Sequence, residues 1–285
     1  KDHLSSHEDG AIVAPSSPYN GTKGRMLRQL ARRGRERNRL WAGHDLLAKA
    51  RYLVARAAPH LPPQARLLDI ACGDGQALLA YGEVGCRGVG IELSARRLAR
   101  CRARGLAVVR ADMTSPLPFA PGSFDAVSLI SALEHIPAPE PFLHEIARVL
   151  KPGGVVVVQI PNPHFPVDLH YLLPLYGYLP EAWRERYRRA FAGDGYAIGY
   201  YTRQLTRRQA LALFAGWEPL EVGDYVYPAE VAPAWLRPWY RLYTNAGLAR
   251  LFPTGHILVL LQSVTKGKES DNDAGTRAVG RTPCR

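Results

Sequence analysis

The chain lacks the cysteine pattern of stapled or metal-bound proteins. Its four cysteines, Cys72, Cys86, Cys101 and Cys284, show no C-x-x-C spacing. Neither a disulfide framework nor a zinc knuckle is indicated, and we expect no metal site. Unpaired cysteines of this kind favour a reduced, cytoplasmic setting.

Long apolar runs are also missing. No window approaches the roughly 18 apolar residues that a membrane span needs, and the first ten residues lack the apolar stretch of a signal peptide. Hydrophobic residues still make up 47% of the 285 residues, enough to bury a full core without covalent staples. We therefore expect a soluble protein built on one large domain.

Acidic residues are scarce relative to basic ones, which gives the chain a net charge of +12. Residues 20–60 hold eleven Lys or Arg against Glu36 and Asp45, and they predict a basic helical arm. Such an arm suits an anionic surface, membrane or phosphate, and equally suits a solvated helix face. Polar composition predicts disordered tails over 1–19 and 264–285, which leaves 61–263 as the folded domain.

A nucleoside-binding turn is indicated by the stretch LLDIACGDG at positions 67–75. Its first half predicts a buried parallel strand, and Gly73 and Gly75 allow a tight turn against a ligand. A second strand, Gly88–Glu92, would end in a carboxylate placed to accept both hydroxyls of a ribose. Leu78 occupies the position of the third glycine of G-x-G-x-x-G, which weakens a dinucleotide alternative.

Two further carboxylates flank this turn. Asp69 and Asp74 would repel a diphosphate and would accept hydrogen bonds from an ammonium group. The sequence therefore favours a cationic nucleoside as the ligand.

These residues resemble the first motif of the class I S-adenosylmethionine (SAM) methyltransferases, D-x-G-x-G-x-G, in which an acidic residue also closes the second strand. Asp69, Gly73, Gly75 and Glu92 match that pattern, and Ala71 stands where the family most often has its first glycine. The resemblance implies SAM as the cofactor and S-adenosylhomocysteine as the product.

The next stretch, VVRADMTSPLPFAPGSFDAVSLISALEHI at 108–136, is similar to the ubiquinone and menaquinone biosynthesis type of methyltransferase (methyltransferase type 11). In that family an acidic residue after the third strand meets the adenine amino group. The resemblance implies this role for Asp112, with the backbone of Met113 alongside. A loop cap is the alternative role for Asp112. The resemblance also implies cofactor contacts by residues that follow the ends of the predicted strands. They are Ala71, Cys72, Leu93, Ser131 and Glu134.

A general base is expected because an oxygen acceptor must lose a proton and a carbon acceptor needs an activated ring. His135 is the candidate, since its ordinary pKa near 6.5 suits proton abstraction at neutral pH. The alternative is that Glu134 and His135 position SAM or begin the next helix. His164 and His170 are secondary candidates.

The segment LHEIARVLKPGGVVVVQIPNP at 143–163 adds a helix, a turn and a fifth strand. Alternating helices and strands predict a Rossmann-like, doubly wound, mostly parallel sheet with its ligand at the carboxyl ends of the strands. The resemblance, which covers residues 66–163, implies seven strands with the last one antiparallel.

Two aromatic-rich stretches interrupt the later part of this pattern, at about 164–204 and 225–252. They are too long for plain connections and predict helical lid insertions that exclude water and form the acceptor pocket. Between them, Thr206 and Gln209 predict a capping box, followed by a strand over Trp217–Val222. A final strand is predicted over His256–Gln262.

We expect methyl transfer to an oxygen or carbon of a small-molecule or lipid-like acceptor, such as a quinone, lipid, sugar or secondary metabolite. Nucleobase methylation is disfavoured because Ser131–Glu134 replaces the N-P-P-Y motif and the only Pro-Cys pair is Pro283–Cys284. Two alternatives stay open. One is an RNA methyltransferase that uses the basic arm, and the other is a SAM-binding regulatory protein without transfer activity.

Overall fold

A computed structural model of the chain describes residues 46–168, 173–192, 203–227, 229 and 237–263. Both predicted tails, the first part of the basic arm and His170 lie outside the described residues.

The strands of the described chain form one seven-stranded sheet. They are β1 (Arg66–Ile70), β2 (Arg87–Glu92), β3 (Val108–Arg110), β4 (Phe124–Ile130), β5 (Leu150–Pro161), β6 (Glu218–Tyr225) and β7 (Gly255–Leu261). Their order is β3-β2-β1-β4-β5-β7-β6. Strands β1 to β5 pair in parallel, and β7 runs antiparallel between β5 and β6. The predicted mostly parallel sheet with an antiparallel last strand is confirmed.

Helices cover both faces of this sheet. They are α1 (Leu46–Ala57), α2 (Gln76–Glu83), α3 (Ala95–Ala103), α4 (Pro139–Val149), α5 (Glu181–Ala192), α6 (Arg207–Leu213), α7 (Arg237–Asn245) and α8 (Leu248–Leu251). Buried side chains of α4 and α6 pack on one face and those of α1 and α2 on the other. None of the described helices has the length and apolar character needed to cross a membrane.

Helix α1, which the sequence assigned to the basic arm, is part of the domain core. Ala50, Val54 and Ala57, spaced three and four apart, pack against β1 and α2. Its arginines are used within the fold: Arg51 donates to Glu83, and Arg56 pairs with Glu221 on β6. The described end of the arm therefore packs one face on the domain, while Arg51 on the other face has a side chain that is 54% exposed.

Strand β6 continues three residues beyond the predicted Val222, to Tyr225. The strand is at the edge of the sheet, and several of its side chains are exposed. Gly223 and Asp224 are residue types that strands disfavour, so the apolar pattern used to place its end stopped early. The capping box of Thr206 and Gln209 at α6 is present as predicted.

Close packing of α2 on β2 depends on glycines in the strand. A Cβ added at Gly88 would lie 2.7 Å from Leu78 Cδ2, and one at Gly90 would lie 2.8 Å from Leu78 Cδ1. In the dinucleotide fingerprint a glycine at the position of Leu78 provides this approach. Here the helix carries the bulky residue and the strand carries the glycines, which agrees with the rejection of the dinucleotide motif.

Gly75→Ala is predicted to destabilise the fold by about 2 kcal/mol or more, because two costs add. Its φ of +80° disfavours a side chain, and the new Cβ would lie 2.2 Å from Leu106 Cδ1. Gly85→Ala is the matched control, since its φ is +86° with no atom within 4 Å, and it should cost about 1 kcal/mol. Urea unfolding measures both, and equal losses would contradict the packing role of Gly75.

Candidate cofactor and acceptor site

The loop after β1 has three residues in the left-handed region, Ala71 (φ +57°), Gly73 (φ +58°) and Gly75 (φ +80°). Alanine in this conformation costs about 1 kcal/mol relative to glycine, which gives a physical reason for glycine at position 71 in the resembling motif. Gly73 differs from Gly75 because no atom lies within 4 Å of an added Cβ. The backbone at Gly73 is therefore open to a ligand, whereas Gly75 serves packing.

Glu92, the last residue of β2, closes this loop. Its side chain is only 8% exposed, and its two oxygens accept the backbone N–H groups of Gly73 at 3.1 Å and Ser94 at 2.8 Å. Arg97 Nη1 lies 3.5 Å from Oε2. The carboxylate predicted to clamp a ribose thus stands directly beside the open backbone of Gly73.

Asp69 lies beneath the loop in the centre of the sheet. It is buried and lies opposite Ser128 of β4 in the strand register. Burial raises the pKa of Asp69 to about 7, and the nearby Ser128 hydroxyl partly opposes that rise. The group therefore changes charge near neutral pH.

Asp74 is bonded to helix α3. Arg100 Nη2 lies 2.6 Å from its Oδ1, and Arg104 Nη1 donates to its backbone carbonyl at 2.7 Å. Cys101 Sγ also donates to the Gly73 carbonyl, at 3.3 Å. Asp74 therefore holds the loop on α3, and its predicted contact with a ligand ammonium group stays a prediction.

At the ends of β2 and β3 the predicted adenine-binding residues meet solvent. Leu93 is 55% exposed. Asp112 Oδ1 accepts the backbone N–H and the hydroxyl of Thr114, both at 2.8 Å, and these bonds lower the pKa of Asp112. Met113 packs partly buried against the main core. Asp112 thus caps its loop, and its exposed carboxylate stands two residues past the end of β3, the strand that pairs with β2.

Beyond β4 a chain of polar side chains begins at Ser131. Its hydroxyl donates to Gln159 Oε1 at 2.8 Å, and Gln159 Nε2 donates to the Tyr225 hydroxyl at 2.6 Å. The Tyr227 hydroxyl donates to Tyr225 at 2.9 Å. Burial raises the pKa of both tyrosines far above the neutral range, so both stay protonated.

The outer end of this chain meets two charged residues. Lys49 Nζ of α1 lies 5.1 Å from the centre of the Tyr227 ring, a cation–π distance. Burial lowers the pKa of Lys49, and the Glu134 carboxylate opposes that change. Glu134 is buried in the turn Leu133–His135, which directly follows β4 and leaves His135 half-buried. These residues border the site on the side of β4 and β5.

Sequence reasoning missed Lys49, Gln159 and both tyrosines of this chain, and it also missed a carboxylate–histidine pair. His256 Nδ1 lies 2.7 Å from Asp224 Oδ1. The antiparallel register of β7 places buried His256 opposite Ile160, near the carboxyl end of β5. Burial lowers the pKa of His256, so the ring is neutral at pH 7. One sequence signal could have pointed to these residues. Gln159 is a polar residue inside the apolar run of β5, and His256 is a polar residue near the start of apolar β7.

The chain matches a known family over its sheet-forming centre. Residues 68–158 match the family model described as a methyltransferase domain. Over these residues the chain is similar to that domain. The prediction from the first motif is confirmed, and SAM is the cofactor that this family and this fold imply.

Curated relatives of the methyltransferase domain are named for quinone biosynthesis. The chain is 36% identical over 118 residues to a demethylmenaquinone methyltransferase from Renibacterium salmoninarum, covering 40% of this chain and 49% of that protein. It is 35% identical over 117 residues to a ubiquinone biosynthesis O-methyltransferase from Xanthomonas campestris pv. campestris, covering 39% and 48%. The chain therefore spans about half the length of these curated relatives.

Solved structures share the fold at lower identity. An S-adenosylmethionine dependent methyltransferase from Mesorhizobium loti has a TM-score of 0.52 at 19% identity, covering 74% of this chain and 98% of that one. A putative sarcosine dimethylglycine methyltransferase from Galdieria sulphuraria has a TM-score of 0.53 at 18% identity, covering 81% and 98%. These likenesses concern the fold alone.

Asp69 is predicted to make stability fall as the pH rises from about 4 to 7. Its folded pKa of about 7 exceeds the unfolded value near 3.9, so the folded state holds the extra proton across that window. Asp69→Asn should therefore gain about 4 kcal/mol relative to wild type between pH 4 and pH 8.

Urea unfolding at a series of pH values measures this change. Glu145→Gln is the control, because hydrogen bonds from Arg148 lower the pKa of Glu145 to about 2. The stability that Glu145 contributes is lost only as the pH falls through about 4 toward 2. The difference in unfolding free energy between Glu145→Gln and wild type should therefore stay constant above pH 5. A flat difference for Asp69→Asn as well would contradict the assigned pKa.

Proposed function

We propose that the protein transfers a methyl group from SAM to an oxygen or carbon of a small-molecule or lipid-like acceptor. The observation that carries this proposal is the placement of the Glu92 carboxylate against the open backbone of Gly73, at the carboxyl ends of β1 and β2. An acceptor for ribose hydroxyls and a turn without a side chain there suit a nucleoside rather than a bare phosphate.

The residues present fit SAM at this edge. Glu92 would hold the ribose, and Asp112 with the backbone of Met113 would hold the adenine beside the exposed side chain of Leu93. The loop from Ala71 to Gly73, including Cys72, would hold the amino acid portion. When bound, SAM supplies an electrophilic methyl carbon on its sulfonium. The protein then needs chiefly to orient the acceptor and exclude water.

The acceptor would enter from the side of β4 and β5. Here the protonated hydroxyl of Tyr225, which accepts from Gln159 and Tyr227, keeps its own proton as an uncharged hydrogen-bond donor. Such groups suit the oxygen atoms of an aromatic or lipid-like acceptor better than a phosphate. The quinone-pathway names of the reported relatives support an acceptor of this class and lend no support to the RNA or regulatory alternatives.

His135 would remove the acceptor proton, since it is the last residue of the turn after β4 and is half-buried. The pair of His256 and Asp224 is the competing base, because a carboxylate on Nδ1 orients the ring and leaves Nε2 as the basic atom. Glu134 and Ser131 would position these groups relative to the cofactor.

Glu92→Ala is expected to weaken SAM binding by about 1 to 3 kcal/mol, because two ribose hydroxyls lose a charged acceptor. Isothermal titration calorimetry with SAM measures the loss. Glu83→Ala is the matched control, since it removes an exposed glutamate paired to Arg51 at a distance from the loop. Unchanged SAM affinity in Glu92→Ala would remove Glu92 from the cofactor site, and absent SAM binding in the folded wild type would overturn the proposed function.

His135→Ala is expected to leave SAM affinity nearly unchanged and to lower kcat by about 100-fold or more. The assay measures formation of S-adenosylhomocysteine with demethylated quinol analogues as acceptors. His256→Ala, measured in parallel, separates the two candidate bases. Wild-type turnover in His135→Ala together with a large loss in His256→Ala would transfer the role to the His256–Asp224 pair.

A further inference from the structure

The two insertions carry most of the large apolar side chains that the described structure leaves exposed. Of fourteen such side chains, eight lie within residues 173–192 and 237–252. These eight form what we call the insertion surface: Leu175, Tyr178, Trp183, Phe191, Trp239, Leu242, Leu248 and Leu251. Exposed apolar side chains concentrated in this way mark an interaction surface.

Helix α7 has an inner and an outer face. Tyr240 and Tyr243, three residues apart, lie with ring centres 5.4 Å from each other, and the Tyr243 hydroxyl donates to the carbonyl of Phe252. Trp239 and Leu242, also three apart, are 68% and 59% exposed. The tyrosines therefore seat the helix on the protein while the tryptophan and leucine point outward.

Helix α5 repeats this arrangement in the first insertion. Trp183 is exposed beside a groove of about 510 Å³ that Leu175, Leu179, Arg186 and Tyr187 also line. Tyr187 faces the protein, stacking on Tyr176 and donating to the carbonyl of Pro174. An exposed tryptophan again stands on a helix that is held by a tyrosine.

Both insertions rest on consecutive residues just past the carboxyl end of β5. The Tyr178 hydroxyl donates to the His164 carbonyl at 2.5 Å. The ring of Phe165 meets the ring of Tyr243 edge-on, with centres 6.0 Å apart. The insertion surface therefore rises from the same edge of the sheet as the candidate site.

The charge of the two insertions indicates which kind of partner the insertion surface binds. Residues 237–252 contain Arg237, Arg241 and Arg250 and no acidic residue. Helix α5 contains four arginines against two glutamates, and one of the four, Arg188, is buried and paired with Glu185. A second copy of the chain would bring like charge to the contact, whereas an anionic partner would be attracted. Tryptophan and leucine on one face with arginine beside them is the composition of helices that lie in a membrane interface.

We propose that the insertion surface docks the protein on an anionic lipid bilayer, with its tryptophans and leucines in the interfacial region and its arginines near the headgroups. This docking goes beyond the proposed function and does not require it. If the acceptor is lipid-like, docking would bring the edge of the sheet next to the phase in which that acceptor dissolves.

Flotation of the full chain with lipid vesicles tests the proposal. Wild type should bind vesicles of phosphatidylcholine with phosphatidylglycerol and not vesicles of phosphatidylcholine alone. Trp239→Ser combined with Leu251→Ser should weaken that binding by about tenfold or more, because two apolar side chains leave the interface. Val84→Ser is the matched control, since Val84 is 47% exposed at the end of α2, outside both insertions.

Three results would overturn the proposal: no vesicle binding by wild type, equal binding by the double variant, or a wild-type dimer in light scattering that the double variant abolishes. If the double variant unfolds, Trp183→Ser takes its place. Calorimetry with SAM keeps the two proposals apart, because the double variant should retain wild-type SAM affinity. A wild type that binds SAM but does not bind vesicles would overturn the docking proposal and leave the proposed function standing.

Discussion

The hydrogen bonds from the backbone of Gly73 and Ser94 to the Glu92 carboxylate organise the candidate site. They join the loop after β1 to the start of α3 through one nearly buried side chain at the end of β2. A carboxylate held by two amide donors is restrained in position, so its remaining lone pairs face a fixed direction. The open backbone of Gly73 beside it turns this restraint into a binding edge.

Several residues around this binding edge have unfavourable backbone conformations or bury an ionisable group. Ala71 and Ser131 lie in the left-handed region, and Asp69 is buried at the centre of the sheet. Strain and buried charge at one end of a sheet cost stability, and the apolar core beneath offsets that cost. Asp74 shows the opposite solution, since its ion pair with Arg100 neutralises a carboxylate that would otherwise compete with Glu92 for a ligand.

The sheet could be predicted from sequence because most of its parallel strands are apolar runs that alternate with helices along the chain. The end of β6 could not, since Gly223 and Asp224 at a sheet edge resemble a loop. The sequence could nominate the proposed cofactor residues because they are close in sequence and follow a spacing rule. The acceptor side was missed because Lys49, Gln159 and Tyr225 come from α1, β5 and β6, and only the crossover topology brings them together.

The two sides of the site differ in charge for a physical reason. The cofactor side carries carboxylates at Asp69, Glu92 and Asp112, which favour a cationic sulfonium and its ammonium group. The acceptor side carries tyrosines whose burial keeps them protonated, so they can donate hydrogen bonds without adding charge. Under the proposed function, a neutral, partly apolar acceptor would be admitted at low electrostatic cost, while a polyanion would meet the carboxylates of the cofactor side at the same edge. The arginines of α5, α7 and α8 belong to the two insertions, outside the segments that supply these carboxylates and tyrosines. They are therefore available to the insertion surface.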